Sequence, residues 1–133
     1  RFPSNAYQLA TSDWWFNFEH HQCPHDSWLE KMQVVETGQG ERLSERATDV
    51  FVVLLGAYHD TLINLRYRGV SSFDLAGLSV NKGHGDWRYD EFRVAESGAL
   101  VHEIEWWSQD EVAHWTIECE DIEFAAHPHR TAS

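Results

Sequence analysis

Apolar and polar residues alternate along much of this chain, and that period of two limits the possible folds more than any other feature. The pattern runs from Leu62 to Arg68, from Leu100 to Trp107 and from Trp115 to Glu120. Successive side chains of a β-strand point to opposite faces, so this spacing predicts strands with one buried face. The inward-facing residues are predicted to be Ile63, Leu65, Tyr67, Leu100, His102, Ile104, Trp106, Trp115, Ile117 and Cys119.

Other segments carry weaker signals of the same kind. Trp14 to Glu19 alternates and predicts a first strand, with Ser27 to Val35 as the next. Thr37 to Asp49 is polar and contains glycine near its start, which predicts the longest loop, with a possible helical turn after Glu41. Val50 to Leu55 is continuously apolar, as in a strand covered on both faces.

Two further sequence features predict how the strands are connected, one after Leu62–Arg68 and one after Cys119. After Gly69, Phe73 and Leu75 predict a further strand that continues an antiparallel meander. The apolar phase slips by one residue at Glu120-Asp121, because Ile122 and Phe124 are out of step with Cys119. Such a slip within a strand predicts a β-bulge.

These segments together predict about eight strands and no long amphipathic helix. The expected fold is mainly β, an antiparallel β-sandwich or open barrel with few or no short helices. A chain of 133 residues is long enough for one ordinary domain and too short for two. We expect a single β-rich domain over 1–133, with frayed termini at 1–12 and 127–133.

Charge and composition narrow the classes of partner. The formal net charge is −12, which argues against nucleic acid and anionic membranes, whose binding needs clustered Lys and Arg. It suits a basic protein partner. We find no signal-peptide pattern and no apolar run of about 20 residues, so a cytoplasmic location is expected. Cys23 and Cys119 could pair or stay free.

The stretch from His20 to Asp26 is the densest cluster of groups that bind metal or transfer protons. A metal-dependent hydrolase centred there would use His21, Cys23, His25 and Asp26. A metal site needs three or four donors converging on one point, and this spacing matches no known zinc signature. We favour a turn in which Asp26 bonds the N–H groups of Ser27 and Trp28, and we predict no metal and no cofactor.

Carboxylates and tryptophans on the later strands suggest a binding face. The residues predicted to make contact are Glu103, Glu105, Trp107, Glu118 and Glu120. Trp106 and Trp107 are adjacent in a strand, so Trp107 should point away from the core that holds Trp106. An exposed Trp suits a protein contact or a carbohydrate-binding platform. The alternative is a solvated face on which interleaved arginines cancel the charge, with Arg66, Arg68, Arg88 and Arg93 as the candidates.

Several motifs resemble bacterial immunity-protein families, which neutralise polymorphic or contact-delivered toxins. The similar stretches are Pro24-His25-Asp26-Ser27-Trp28, Val53-Leu54-Leu55, Leu65-Arg66-Tyr67-Arg68-Gly69-Val70 with Phe73 and Leu75, Trp115-Thr116-Ile117-Glu118 and Asp121-Ile122-Glu123-Phe124. The resemblance implies a non-enzymatic binding protein on a β-rich scaffold, with no catalytic role for the His-Asp pair. The expected function is therefore an immunity-type toxin inhibitor that uses the acidic and aromatic face.

Overall fold

A computed structural model describes residues 1–76, 83–109 and 111–129. The elements in chain order are α1 (Ser4–Ala10), β1 (Trp28–Gln39), a 3-10 turn (Glu41–Leu43), β2 (Glu45–Leu55), β3 (Thr61–Arg68), β4 (Ser72–Ala76), β5 (Asp86–Val94), β6 (Leu100–Ser108), β7 (Glu111–Cys119) and β8 (Asp121–Pro128). The chain is mainly β with one short α-helix, which confirms the predicted class.

The eight strands form one antiparallel sheet in the order β4-β7-β6-β5-β1-β2-β3-β8, which does not close into a barrel. We call β4-β7-β6-β5 the β6 half and β1-β2-β3-β8 the β2 half. Within the described residues, the ladder between β1 and β5 consists of the pair Trp28 and Asp86. A single core cluster nevertheless takes buried side chains from both halves, so the two halves fold towards each other around it.

The core follows the predicted alternation. The inward residues of β3, β6 and β7 are all buried, as the period of two predicted. On β2, Val50, Val52 and Leu54 are buried, whereas Phe51 and Val53 between them are partly exposed. The expectation that this strand is covered on both faces is therefore wrong, because no second layer packs on its outer side within the described residues.

The phase slip at Glu120 marks a corner where the chain passes from one half of the sheet to the other. Cys119 ends β7 and pairs with Leu100 of β6. Asp121 begins β8 and pairs with Arg68 of β3. The interior lies on a different side of the backbone after this change of partner, so the apolar phase must shift by one residue.

The N-terminal segment differs from its prediction. Residues 14–19 form turns instead of a strand, and residues 4–10, expected to fray, form α1. Trp15 is fully buried, and its ring lies against Trp87, Phe92 and Phe124 from both halves. Burial of this large ring outweighs the local strand preference of the segment.

Helix α1 is only seven residues long and depends on tertiary contacts, since isolated helices of this length are unstable in water. The buried carboxylate of Asp121 accepts hydrogen bonds from the backbone N–H groups of Asn5 and Ala6 at 3.1 and 3.0 Å. Ala6 and Leu9 are buried in the core. The corner at β8 therefore anchors the N-terminal segment. At the other end of the chain, His127 and Pro128 belong to β8, and residues 130–133 lie outside the described residues.

The segment predicted as the longest loop is mostly strand. β1 and β2 stay paired from Val35–Asp49 out to Gln39–Glu45, beyond Val50, where pairing of β2 with β3 stops. The result is a two-stranded arm whose tip holds the 3-10 turn. The residues of the arm are polar because both faces of this two-stranded ribbon contact solvent. That polar composition is what suggested a loop.

Strand β4 exists as predicted, but its partner is different. It pairs with β7 from Ser72–Glu118 to Ala76–His114, and not with β3 as a meander would require. The backbone N–H of Ser71 already donates to the carbonyl of Glu118. The chain thus leaves β3 at Gly69 and crosses directly to the opposite edge of the sheet.

The fold predicts an unequal cost for two glycine substitutions. Gly85 and Gly98 both have positive φ, +99° and +89°, but a Cβ at Gly85 would overlap the carbonyl of Trp107, whereas a Cβ at Gly98 would meet open space. Positive φ costs a non-glycine residue about 1–2 kcal/mol. We expect Gly85→Ala to lower the free energy of unfolding by at least about 1 kcal/mol more than Gly98→Ala, by urea denaturation. Equal losses would contradict the close approach.

Stability should fall in alkaline solution because of Cys119. Burial raises the pKa of its thiol from 9.0 to about 12, so the folded state keeps a proton that the unfolded chain releases. This contribution is complete below pH 9 and is lost between pH 9 and 12, at up to about 1.4 kcal/mol per pH unit. We expect Cys119→Ala to lose stability less steeply over this range. Parallel slopes for the two proteins would contradict this.

Candidate functional site

The predicted binding residues lie mainly on the outer face of the β6 half. Trp107 is 42% exposed while its neighbour Trp106 is fully buried, which confirms the predicted division. Glu103 and Glu105 share the outer face with Trp107. Across the strand pair, Glu91 stands opposite Glu103, and Tyr89 stands opposite Glu105.

Three of the five predicted contact residues lie together on β6, a fourth lies on the same face of β7, and Glu120 is set apart. Glu103, Glu105 and Trp107 follow one another at alternate positions of β6. Glu118 lies on β7 opposite Val101, and its carboxylate accepts a hydrogen bond from Ser97 at 3.3 Å. Glu120 lies at the corner between β7 and β8, beside Gly69. The alternation in the sequence continues to Glu120, whereas β7 ends one residue earlier, at Cys119.

Charges on this face are partly balanced. On β7, Thr116 and His114 stand opposite Glu103 and Glu105, so neither glutamate faces a carboxylate of that strand directly. Arg93 Nη1 lies 2.7 Å from Glu103 Oε1, and His114 Nε2 lies 3.7 Å from Glu105 Oε1. The solvated arrangement with interleaved cations is thus present in part.

An ordered group of aromatic rings and one arginine completes the face. The Arg88 guanidinium carbon lies 4.8 Å from the Trp107 ring centre and 5.7 Å from that of Tyr89. The Trp107 indole N–H donates to Glu105 Oε2 at 2.8 Å. A groove of about 400 Å³ beside these rings is lined by Tyr89, Asp90, Glu91, Glu103, Ile104, Glu105 and His114. We name Tyr89, Glu91, Glu103, Glu105 and Trp107 the acidic-aromatic face.

A second half-exposed tryptophan lies in the same row and was not predicted. Trp28 pairs with Asp86 of β5, and Asp86 pairs with Trp107 of β6, so the three share the outer face. The Trp28 indole N–H donates to Asp86 Oδ1 at 2.7 Å, and His59 packs against the ring at 4.6 Å. The uneven alternation from Ser27 to Val35 gave no signal for this orientation.

The histidine-rich turn does not gather its side chains at one point. His21 Nδ1 lies 2.6 Å from Asp60 Oδ2, a hydrogen bond that lowers the pKa of Asp60, and its ring stacks on Tyr58. The buried Cys23 thiol donates to the carbonyl of Trp15. Across residues 1–76, 83–109 and 111–129, no three His, Cys, Asp or Glu side chains could hold a metal ion together. Both cysteines are free.

Asp26 serves a purpose other than the predicted turn cap. Its backbone has φ +62°, and its own N–H donates to the carbonyl of Trp87 at 2.7 Å. Its carboxylate lies 3.3 Å from His25 Nδ1 and 3.9 Å from Arg88 Nη1. The carboxylate therefore joins the turn to β5 and does not cap Ser27 or Trp28.

A buried hydrogen-bonded network lies behind the acidic-aromatic face. The Tyr67 hydroxyl lies 2.7 Å from His102 Nδ1, and His102 Nε2 lies 2.8 Å from Asp90 Oδ2. Burial raises the pKa of Tyr67 well above its ordinary range, so Tyr67 keeps its proton. It can donate that proton to Nδ1 of a neutral His102 that carries its own proton on Nε2, which faces Asp90. The prediction of a hydrogen-bonded core histidine is confirmed, although its partners could not be read from spacing.

The two glycines around His84 predict a loop over residues 81–86. In the structure, His84 packs edge-on against Trp106 at 4.8 Å. Burial lowers the pKa of this histidine. His84 Nε2 and the indole nitrogens of Trp106 and Trp115 are buried without hydrogen-bond partners among the described residues. Residues 81 and 82, predicted to begin this loop, lie outside the described residues.

Comparison with protein-family models, with curated proteins and with solved structures gave no match. The resemblance to immunity proteins therefore stays a prediction from the sequence motifs. In the part of the chain that the structure describes, no helix has the length and apolar character needed to cross a membrane.

The buried network predicts a clear stability effect. Tyr67→Phe removes the hydroxyl that His102 Nδ1 depends on, and an unsatisfied buried acceptor costs about 1–3 kcal/mol. We expect that loss in the free energy of unfolding, measured by chemical denaturation at neutral pH. The matched control is Tyr58→Phe, because Tyr58 is 48% exposed, and it should change stability by less than about 0.5 kcal/mol. Equal effects of the two variants would contradict a structural role for the network.

Proposed function

We propose that this chain is a non-enzymatic protein-binding domain, an immunity-type inhibitor of a bacterial toxin that captures a basic partner on the acidic-aromatic face. The observation that carries the proposal is the ordered cluster of Tyr89, Trp107 and Arg88 among outward carboxylates. Exposed aromatic rings and arginine are the side chains that most often dominate protein interfaces. Their mutual contacts here reduce the entropy lost on binding.

Electrostatics supports a basic partner. Of the three glutamates on the face, Glu103 is paired closely with Arg93, while Glu105 has a distant contact with His114. Acidic charge therefore remains on the face, and the chain as a whole carries −12. Complementary charge accelerates association and disfavours the wrong partners. A toxin domain that acts on nucleic acid would carry the basic surface required.

The turn from His20 to Asp26 supports this proposal over the metal-dependent hydrolase. Of the four side chains that such an enzyme would need, His21 contacts Asp60 and Cys23 contacts Trp15. Only His25 and Asp26 lie beside each other, and they also contact Phe18 and Arg88. In the structure, the turn joins the N-terminal segment to β5 and to the turn that holds Asp60. These contacts give the turn a structural role.

One observation favours a second candidate, a carbohydrate-binding module. Trp28 and Trp107 are both half-exposed and lie in one row across three strands, which places them about 10 Å apart at ordinary strand spacing. Two aromatic rings on one face could stack on successive sugar units. Titration of tryptophan fluorescence with soluble oligosaccharides separates the candidates, because the toxin-inhibitor proposal expects no saturable change.

Charge reversal on the face tests the main proposal. The variant Glu103→Lys/Glu105→Lys should bind the partner at least about tenfold more weakly, which corresponds to about 1.4 kcal/mol. The partners to test are the products of the genes that flank this chain's gene, with affinity measured by calorimetry and protection measured as growth of a bacterial host that expresses the flanking gene.

The control for that experiment is Glu41→Lys/Glu45→Lys at the tip of the arm. It changes the net charge by the same amount, and both residues are exposed. The control should keep affinity and protection close to those of the unaltered chain. An equal loss in both variants would mean that total charge, and not this face, governs capture. No loss in either would remove the proposed face.

A further inference from the structure

A small pocket opens next to the acidic-aromatic face and ends at a buried carboxylate. Its volume is about 60 Å³, and its lining residues are Trp15, Phe16, Phe18, Cys23, His25, Trp87, Arg88, Tyr89 and Asp90. Phe16, Phe18 and Tyr89 are each about half-exposed and form the rim. Trp15 and Trp87 are buried and form the inner wall. Aromatic side chains therefore surround a space that leads to Asp90.

The Asp90 carboxylate is buried at the inner end of the pocket, and one of its two oxygens makes only a long hydrogen bond. Its Oδ2 accepts hydrogen bonds from His102 Nε2 and from the Trp15 indole at 2.8 and 2.9 Å. Its Oδ1 has only a long contact, 3.4 Å, with the Trp87 indole. The side chain of Asp90 is only 6% exposed, and buried charges are normally paired.

Charges at the mouth of the pocket nearly cancel. Arg88 Nη1 faces Asp26 Oδ1 at 3.9 Å, and the Arg88 guanidinium lies over Trp107 and Tyr89. His25 stacks on Phe18 at 3.6 Å with Nδ1 near Asp26. Asp90 is therefore the acidic side chain at the inner end of the pocket, while Arg88 and Asp26 face each other at its mouth.

We propose that this pocket receives the ammonium end of a lysine side chain from the basic partner. Aromatic faces attract a cation by about 0.5–2 kcal/mol per ring, and the floor carboxylate supplies the counter-charge. The volume suits an ammonium group with one or two methylenes and excludes an aromatic side chain. This inference rests on the proposed function, because the lysine belongs to the partner that the acidic-aromatic face captures.

A small-molecule mimic tests the pocket without the partner. We expect n-butylammonium chloride, titrated into the intact chain, to shift the indole N–H signals of Trp15 and Trp87 in saturable fashion at millimolar concentration. Both indoles bond Asp90, so they report on its surroundings. Sodium chloride at equal ionic strength should leave them unchanged, and n-butanol, which has the same carbon chain without charge, should bind at least about tenfold more weakly.

Variants locate the binding in the pocket. Asp90→Asn should weaken n-butylammonium binding at least about tenfold. Because Asp90 also anchors the core, a second variant, Phe18→Ala, tests the exposed rim and should weaken binding at least about threefold. The matched control is Phe73→Ala on β4, which is similarly exposed and outside the pocket, and it should bind as the unaltered chain does.

Three results would overturn the pocket proposal: no saturable shift of the two indoles, equal binding of n-butanol, or binding that survives both Phe18→Ala and Asp90→Asn. Failure of the proposed function can be distinguished from failure of the pocket proposal. Binding of n-butylammonium together with unchanged toxin capture by Glu103→Lys/Glu105→Lys removes the face and leaves the pocket. Loss of capture in that variant without n-butylammonium binding removes the pocket alone.

Discussion

The hydrogen-bonded network of Asp90, His102 and Tyr67 joins parts of the chain that backbone pairing barely connects. Among the described residues, β1 and β5 share one ladder pair, and two further backbone hydrogen bonds join Asp26 and Ser27 to Trp87. Side chains supply the remaining contacts between the two halves. Tyr67 lies on β3 of the β2 half, His102 and Asp90 lie in the β6 half, and Trp15 brings in the N-terminal segment. A buried network in which every member is satisfied specifies one arrangement, because alternatives leave polar groups unpaired.

The same carboxylate links the scaffold to the proposed binding surface. Asp90 lies on β5 beside Tyr89, so one residue of the strand faces the network while its neighbour faces solvent. The alternation of a strand thus places an interior anchor and a surface contact next to each other. The outer carboxylates and rings can be varied without altering the core, which is how a stable scaffold acquires a specific surface.

Local pattern predicted the fold well where strands have one buried face. The inward residues of β3, β6 and β7, the outward Trp107 and the core position of His102 all follow from alternation. It failed for residues 14–19 and 37–49, where local preference competes with distant contacts. Trp15 is drawn into the core by rings from both halves, and the arm is strand because β1 and β2 pair beyond the sheet. The candidate site was found in part for the same reason: Glu103, Glu105 and Trp107 share a strand, whereas Trp28, Tyr89 and Arg88 reach it only through strand pairing.

The sequence by itself determined the strand class, the side of each regular strand that faces the core, and the acidic character of the molecule. These depend on the period of side-chain direction and on counting charges, which are local or additive properties. Only the tertiary structure decided that β4 pairs with β7, that Glu120 marks a corner, that the histidine-rich turn is spread over separate partners, and that Asp90 ends an aromatic pocket. Each of these depends on contacts between segments that are distant in the sequence. The free energy of those contacts comes from surface that the segments bury together, which no short stretch of residues encodes.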